Sequence, residues 1–202
     1  MAESRARNRQ ADLLVAAAGV FRRNGYGLTT MRDIAAATGM TAGSIYYHYP
    51  SKGALLLAVY EQGVRVAMAA FDEAVRRCAD PWQRLERALA AHMGVMLGQG
   101  DAADFAGVFV QVQPHDFPPE HHAALIALRN AYEARFRRLM ATLPLRRGTD
   151  RSLLRLHLIG SLNHMPTWYR RGGRLSPPAI GRRLVAQVRH GVQAPDPSAP
   201  PP

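Results

Sequence analysis

Positions 46–49 read Tyr46-Tyr47-His48-Tyr49, three phenols and an imidazole in four consecutive residues. Were all four side chains core, each hydroxyl and the imidazole would need a buried partner, and any left unpaired is costly. Outside a core the same groups can bond to phosphate oxygens or to base edges. Just before them stand Thr41, Ala42, Gly43 and Ser44, small enough to let a backbone approach another surface closely. Other chemistry-bearing groups are less well arranged. His115, Asp116, Glu120, His121 and His122 cluster in sequence, but adjacent histidines at a helix start splay about 100° apart and make a poor ligand pair. Cys78 reads as a packed thiol rather than a nucleophile. There is no Gly-x-Ser-x-Gly, and "GQGDAADFAG" has the wrong order for a phosphate-cradling loop. No catalysis, metal or cofactor is expected.

The composition agrees with a polyanionic partner. Over 202 residues, 26 basic side chains stand against 15 acidic ones, giving a formal charge of +11 and a pI near 10.9. Hydrophobic residues make up 48% of the chain, enough for a sizeable core. One cysteine excludes an intrachain disulfide and a cysteine-rich zinc site, which fits a reducing cytoplasm. Arginines ahead of "LLVAAAGVF" mimic a secretory signal, but Asp12 interrupts, Arg22-Arg23 closes the run, and no small-x-small cleavage site follows. No apolar run is expected to span a membrane.

The elements that must position these groups are helical throughout. Residues 5–24 put Leu13, Leu14, Ala17, Val20 and Phe21 on one face, and "NGYG" stops that helix. Thr29 or Thr30 caps a short helix from Met31 to Thr38, with Asp33 as a capping-box partner of Thr30. Gly39 ends it. Thr41 caps a second short helix to about Tyr49, which Pro50 stops. Longer helices follow over 52–79, 82–98, 102–112, 119–142, 150–170 and 176–190, the last with Ser176 before Pro177. "APDPSAPPP" reads as a disordered tail over 193–202. With no period-2 pattern, the fold class is all-α, with about nine helices.

Helix, glycine-centred turn and helix within residues 30–49 make a helix-turn-helix, whose second helix lies in a major groove. Ala35 is small where the helices cross, and Ile34, Met40 and Ile45 face inward. Tyr46, Tyr47 and His48 then face DNA and water.

"LTTMRDIAAATGMTAGSIYYHYPSKGALLLAV", Leu28 to Val59, resembles the TetR family of transcriptional regulators, and the likeness covers residues 7–67. It rests on Thr-x-x-Asp-Ile-Ala before the glycine, Gly-Ser-Ile-Tyr-Tyr-His-Tyr after it, and Pro-Ser-Lys leading into a long leucine-rich helix. The resemblance implies that Thr30 contacts a phosphate and that Thr41, Ala42, Gly43, Ser44 and Tyr46 face the groove. It implies backbone contacts for Tyr47, His48 and Lys52, the last at a helix start that itself attracts phosphate. Tyr49 and Ile45 are packing residues on this reading, and Arg5 and Arg7 are either a basic arm along the DNA or a solvated, frayed end. Many members carry lysine at position 42, so one of their phosphate contacts is not expected here.

The same resemblance implies that residues 68–192 form a helical ligand-binding and dimerisation domain, controlled by a small apolar effector. Met68, Phe71, Met93, Met96, Phe105 and Phe109 are its candidate apolar lining, although such stripes are more often plain core. "SLNHMPTWYRRGGRLS", Ser161 to Ser176, is similar to a segment of regulators of fatty-acid or sterol breakdown, some of which respond to acyl-coenzyme A. That adds Asn163 and Trp168 to the effector set, although Arg171 replaces the usual proline. The helices of 150–170 and 176–190 carry wide apolar stripes (Leu153, Leu156, Ile159, Leu162, Met165; Ile180, Leu184, Val188) able to serve a second copy as well as the chain's own core. Together these features describe an operator-binding homodimer, most simply a repressor. The alternative is a helical carrier of an amphipathic molecule, whose binding would be indifferent to salt where operator binding is not.

Overall fold

The computed structural model describes residues 2–98, 101–112 and 114–192, without the side chains of residues 2–8, 111 and 166. The side chains of Arg5 and Arg7 and the proline-rich stretch 193–202 lie outside what is described.

The described residues are helical apart from short connections and an isolated bridge at Leu145. In chain order the helices are α1 (Ala2–Leu28), α2 (Met31–Thr38), α3 (Ala42–His48), α4 (Lys52–Val75), α5 (Pro81–Leu97), α6 (Asp101–Gln111), α7 (His122–Thr142), α8 (Arg151–Asn163), α9 (Met165–Trp168) and α10 (Pro177–Val192). The tenth arises because the single helix expected over 150–170 breaks at His164, where φ is −84° and ψ is −2°. Pro166 has no amide hydrogen to continue the ladder, so only one further turn forms. In α1 the chain departs from helical geometry at Gly25 (φ 74°, ψ 166°), inside the "NGYG" stop, and helical bonding resumes to Leu28.

One expectation needs correction. α4 is long and apolar enough to cross a membrane by length and composition. Its apolar residues are nonetheless used inside the protein: Leu55, Leu56, Val59, Tyr60 and Val64 are fully buried.

The chain divides into two compact units. The first joins Met1–Met68 to Val95–Ala131, so the helix-turn-helix shares its unit with α6 and the first half of α7. Leu13, Ala17 and Phe21 of α1, Ile34 of α2, Ile45 of α3 and Leu56 of α4 form its core. Arg22 of α1 pairs with Asp104 of α6 at 2.7 Å. α4 and α6 approach closely at Gly63, where an added Cβ would lie 2.4 Å from the Phe105 carbonyl oxygen. That neighbour is backbone and cannot swing aside. Gly63→Ala is therefore expected to destabilise the protein by at least the ~1–3 kcal/mol typical of overpacking, read as a lowered thermal midpoint. An unchanged midpoint would mean that the two helices can move apart freely.

The second unit comprises Ala69–Gly94 and Tyr132–Pro202. Leu85, Leu89 and Met93 of α5, Tyr132 and Phe136 of α7, Leu158 of α8 and Val185 of α10 are buried there, and Phe71 meets Phe136 edge-on at 4.9 Å. Asp150 caps α8, accepting from the amides of Ser152 and Leu153 at 2.8 and 2.9 Å. Arg155 is buried and reaches Glu133 at 2.6 Å, removing the cost of an unpaired charge.

Candidate nucleic-acid interface

Local bonds hold the two short helices of the first unit in place. Thr30 and Asp33 form a full capping box: the Thr30 hydroxyl accepts from the Asp33 amide at 3.2 Å, and the Thr30 amide donates to Asp33 Oδ2 at 2.8 Å. The Thr30 hydroxyl also donates to that carboxylate, and these bonds hold the Asp33 pKa below its usual value. Gly39 ends α2 at φ 64°, ψ 17°, a left-handed conformation that glycine adopts without strain. The Thr38 hydroxyl donates to the Ile34 carbonyl at 3.0 Å, tightening the turn. Thr41 Oγ1 then accepts from the Ser44 amide at 3.1 Å and starts α3.

This frame sorts the side chains of α3 into two faces. Ile45 is fully buried and Tyr49 nearly so; the Tyr49 hydroxyl accepts from Gln10 Nε2 of α1 at 3.1 Å. Thr41, Gly43, Ser44, Tyr46, Tyr47 and His48 are exposed, and Ala42 is half-buried. Tyr46 is 48% and Tyr47 87% exposed, large values for aromatic rings. Tyr47 packs edge-on against His48, with ring centroids 5.3 Å apart. A Cβ on Gly43 would meet nothing nearer than Thr41 Oγ1 at 3.9 Å, so neither packing nor backbone strain requires glycine there. A hollow of about 570 Å³ beside the turn is lined by Arg9, Leu13, Thr38, Gly39, Thr41 and Ser44, among others.

Lys52 has partners within the protein. Its ammonium donates to the carbonyls of Tyr26 and Thr29, both at 2.7 Å, and lies 4.3 Å from the Tyr26 ring centre. Two of its three N–H groups thus tie the start of α4 to the loop between α1 and α2. Spacing in sequence could not reveal this clamp because the partners lie 26 and 23 residues away.

The candidate effector residues do not gather in one unit. Met68, Met96, Phe105 and Phe109 belong to the first, and Phe71, Met93, Asn163 and Trp168 to the second. Phe109 packs edge-on against Tyr60, and Met93, Met96, Phe105 and Phe71 are buried. Met68 is half-buried, while Trp168 is 50% exposed. In the first unit, His122 Nε2 bonds the Phe117 carbonyl at 2.9 Å, and no metal-binding group of three or more exists among the described residues.

Sequence reading missed a polar cluster in the second unit, in which His92 and Tyr132 are buried and Asn163 is exposed. His92 of α5 bonds the Tyr132 hydroxyl of α7 through Nδ1 at 2.7 Å and Asn163 Oδ1 of α8 through Nε2 at 3.0 Å. Because Asn163 Oδ1 only accepts, Nε2 carries the hydrogen and Nδ1 accepts from the phenol. Burial lowers the His92 pKa to about 4 and raises that of Tyr132. Asn163 was singled out for another reason, so only one member of the cluster had a signal in the sequence.

Comparison with known proteins places this architecture. A family model described as bacterial regulatory proteins of the tetR family matches residues 13–59, and a tetracyclin repressor-like C-terminal domain model matches residues 78–192. The HTH-type transcriptional repressor KstR2 of Mycobacterium tuberculosis (strain ATCC 25618 / H37Rv) is 26% identical over 198 residues, covering 92% of this chain and 93% of its own. A solved tetR-family regulatory protein from Rhodococcus RHA1 superposes with a TM-score of 0.76 at 26% identity, over 93% of this chain and 98% of that one. AibR, solved in complex with isovaleryl coenzyme A and operator DNA, shares the fold with a TM-score of 0.74 at 24% identity, over 89% and 97% of the two chains. With both models matched, the second alone over more than half its length, the chain belongs to the TetR family of bacterial regulatory proteins.

Proposed function

We propose that this protein is a ligand-responsive repressor that works in the cytoplasm, as a homodimer on a palindromic operator, without catalysis of its own. The observation that carries this reading is the exposed face of α3: six residues with hydroxyl, imidazole or bare backbone turn outward, while Ile45 and Tyr49 anchor the helix from behind. Thr41, Ala42, Gly43, Ser44 and Tyr46 enter the groove, and Thr30, Tyr47 and His48 bond phosphates. Lys52 fixes the angle of the helix and keeps one N–H for the DNA backbone. The excess of basic residues supplies the salt-dependent, sequence-independent part of the affinity. For the effector we propose a small apolar molecule or acyl-coenzyme A thioester, bound by residues beyond 67. The Ser161–Ser176 segment and the isovaleryl coenzyme A held by AibR support that class.

Selection of bound DNA from a random pool, with and without short acyl thioesters, tests the reading. An enriched palindrome whose recovery changes with thioester is expected; absence of any enriched palindrome would sink it. Two substitutions then separate reading from positioning. Tyr46→Ala should weaken operator binding roughly tenfold or more while leaving the thermal midpoint within the small range of surface changes. Lys52→Ala should first lower stability, because removing a charged donor strands two carbonyls. Equal behaviour of the two variants would contradict these separate roles.

A further inference from the structure

The second unit holds a pocket of about 230 Å³ lined by one candidate effector residue, Phe71, and by seven residues given no role above. Phe71, Asp72 and Val75 at the end of α4, Arg84 of α5, and Arg135, Arg138, Leu139 and Thr142 of α7 line it. Three guanidinium groups thus meet one carboxylate, and that carboxylate is already committed. Arg135 Nε donates to Asp72 Oδ1 at 2.9 Å and its Nη2 to Oδ2 at 2.8 Å, a bidentate pair that neutralises Asp72 and fixes Arg135. The other two cations have no such acceptor. Arg84 Nε is buried without a hydrogen-bond partner, and neither Arg84 nor Arg138 has a bonded acceptor among the described residues. A buried guanidinium nitrogen without an acceptor is costly, so the arrangement calls for an anion.

We propose that this pocket binds a phosphate or diphosphate group. A single carboxylate satisfies one guanidinium fork, whereas a phosphate offers three strong acceptor oxygens and nearly two charges, matching two unpartnered arginines. Phe71, Val75 and Leu139 line one side of the pocket with apolar groups. The last turns of α4 and α7 carry the negative ends of their dipoles, which hold the cations in place before the anion arrives. The phosphate can come from the nucleotide end of a coenzyme A-type effector or from a free phosphorylated metabolite. Neither operator nor dimer enters the binding, so the test is independent of the regulatory reading.

The full chain is titrated calorimetrically with pyrophosphate, with coenzyme A and, as control, with adenosine. Pyrophosphate should bind, adenosine should not, and Arg84→Gln and Arg138→Gln should each weaken pyrophosphate roughly tenfold, the loss of one charged hydrogen bond. Arg138 is exposed and gives up no protein partner, so its variant remains informative if Arg84→Gln folds poorly. Coenzyme A binding more tightly than pyrophosphate, with the same loss in Arg138→Gln, assigns the site to a nucleotide-bearing ligand; equal affinities assign it to free phosphate. No pyrophosphate binding by the parent, or binding that Arg138→Gln leaves unchanged, overturns the proposal.

Discussion

Between pH 6.5 and about 4 the protein is expected to lose roughly 3 kcal/mol of stability through one side chain, His92. The imidazole is enclosed in the second unit, donating from Nε2 to Asn163 and accepting at Nδ1 from Tyr132. Burial is the larger influence on its pKa and disfavours the charged form; the Asn163 bond opposes it only partly. In the unfolded chain the same group titrates near 6.5, so in this window the unfolded state binds more protons than the folded one. Stability is therefore full above pH 6.5, falls as pH drops through the window, and stops falling through this group below about 4. A second consequence is local: protonated Nδ1 donates where it accepted, so the Tyr132 hydroxyl must turn its own hydrogen away from the imidazole. Denaturant unfolding at a series of pH values, for the parent and for His92→Gln, measures both. Glutamine keeps a donor and an acceptor but does not titrate, so its stability should flatten across the window by one proton's worth. Parallel curves for the two proteins would assign the acid sensitivity elsewhere. Against a typical total of about 5–15 kcal/mol, the effect is large.

His92 also shows where sequence reading reaches its limit. The helix-turn-helix was legible because its determinants are local: Thr30 with Asp33, Gly39, and Thr41 with Ser44 each act across three or four residues, and each capping bond forms where spacing places it. Most helix ends were legible for the same reason. The break after Asn163 had a local signal in Pro166, but apolar periodicity running through 150–170 outweighed it. His92 bonds Tyr132 and Asn163, 40 and 71 residues away, and no pattern near any of them marks the pairing. Lys52 has the same character. Its neighbourhood in sequence reads as a phosphate site, and its neighbourhood in space makes it a clamp. The apolar effector candidates are divided between the two units, and methionine and phenylalanine at helical spacing report burial without saying around what.

Leu153→Glu combined with Leu156→Glu is expected to convert the protein to a monomer and to lower operator affinity by about 10²–10⁴-fold. α8 presents Arg155, Leu158 and Leu162 to the interior of the second unit, all buried. Its other side carries Leu153 at 65% and Leu156 at 54% exposure, with Gly160 facing open space in which an added Cβ would meet nothing within 4 Å. Leucines turned outward on one helix face form the kind of surface a second subunit covers, and a small residue beside them lets two helices approach. Across a two-fold axis the same face meets itself, so two glutamates per chain place four carboxylates in one interface and repel without disturbing the fold beneath. Each substitution lies on an exposed surface, so helicity should be unchanged and intrinsic stability should move by only about 0.5 kcal/mol. The loss in operator affinity follows from linkage. A dimer that has bound one half-site holds its second head at high effective concentration over the other, and a monomer has no such advantage. Sedimentation equilibrium reads the assembly state, and titration of a fluorescent palindrome and of a single half-site reads the affinities. The double variant should bind the half-site as the parent does and the palindrome no better. If the variant sediments as a dimer, α8 is not the shared face; if it is a monomer that binds the palindrome with parental affinity, the two-fold reading of the operator fails.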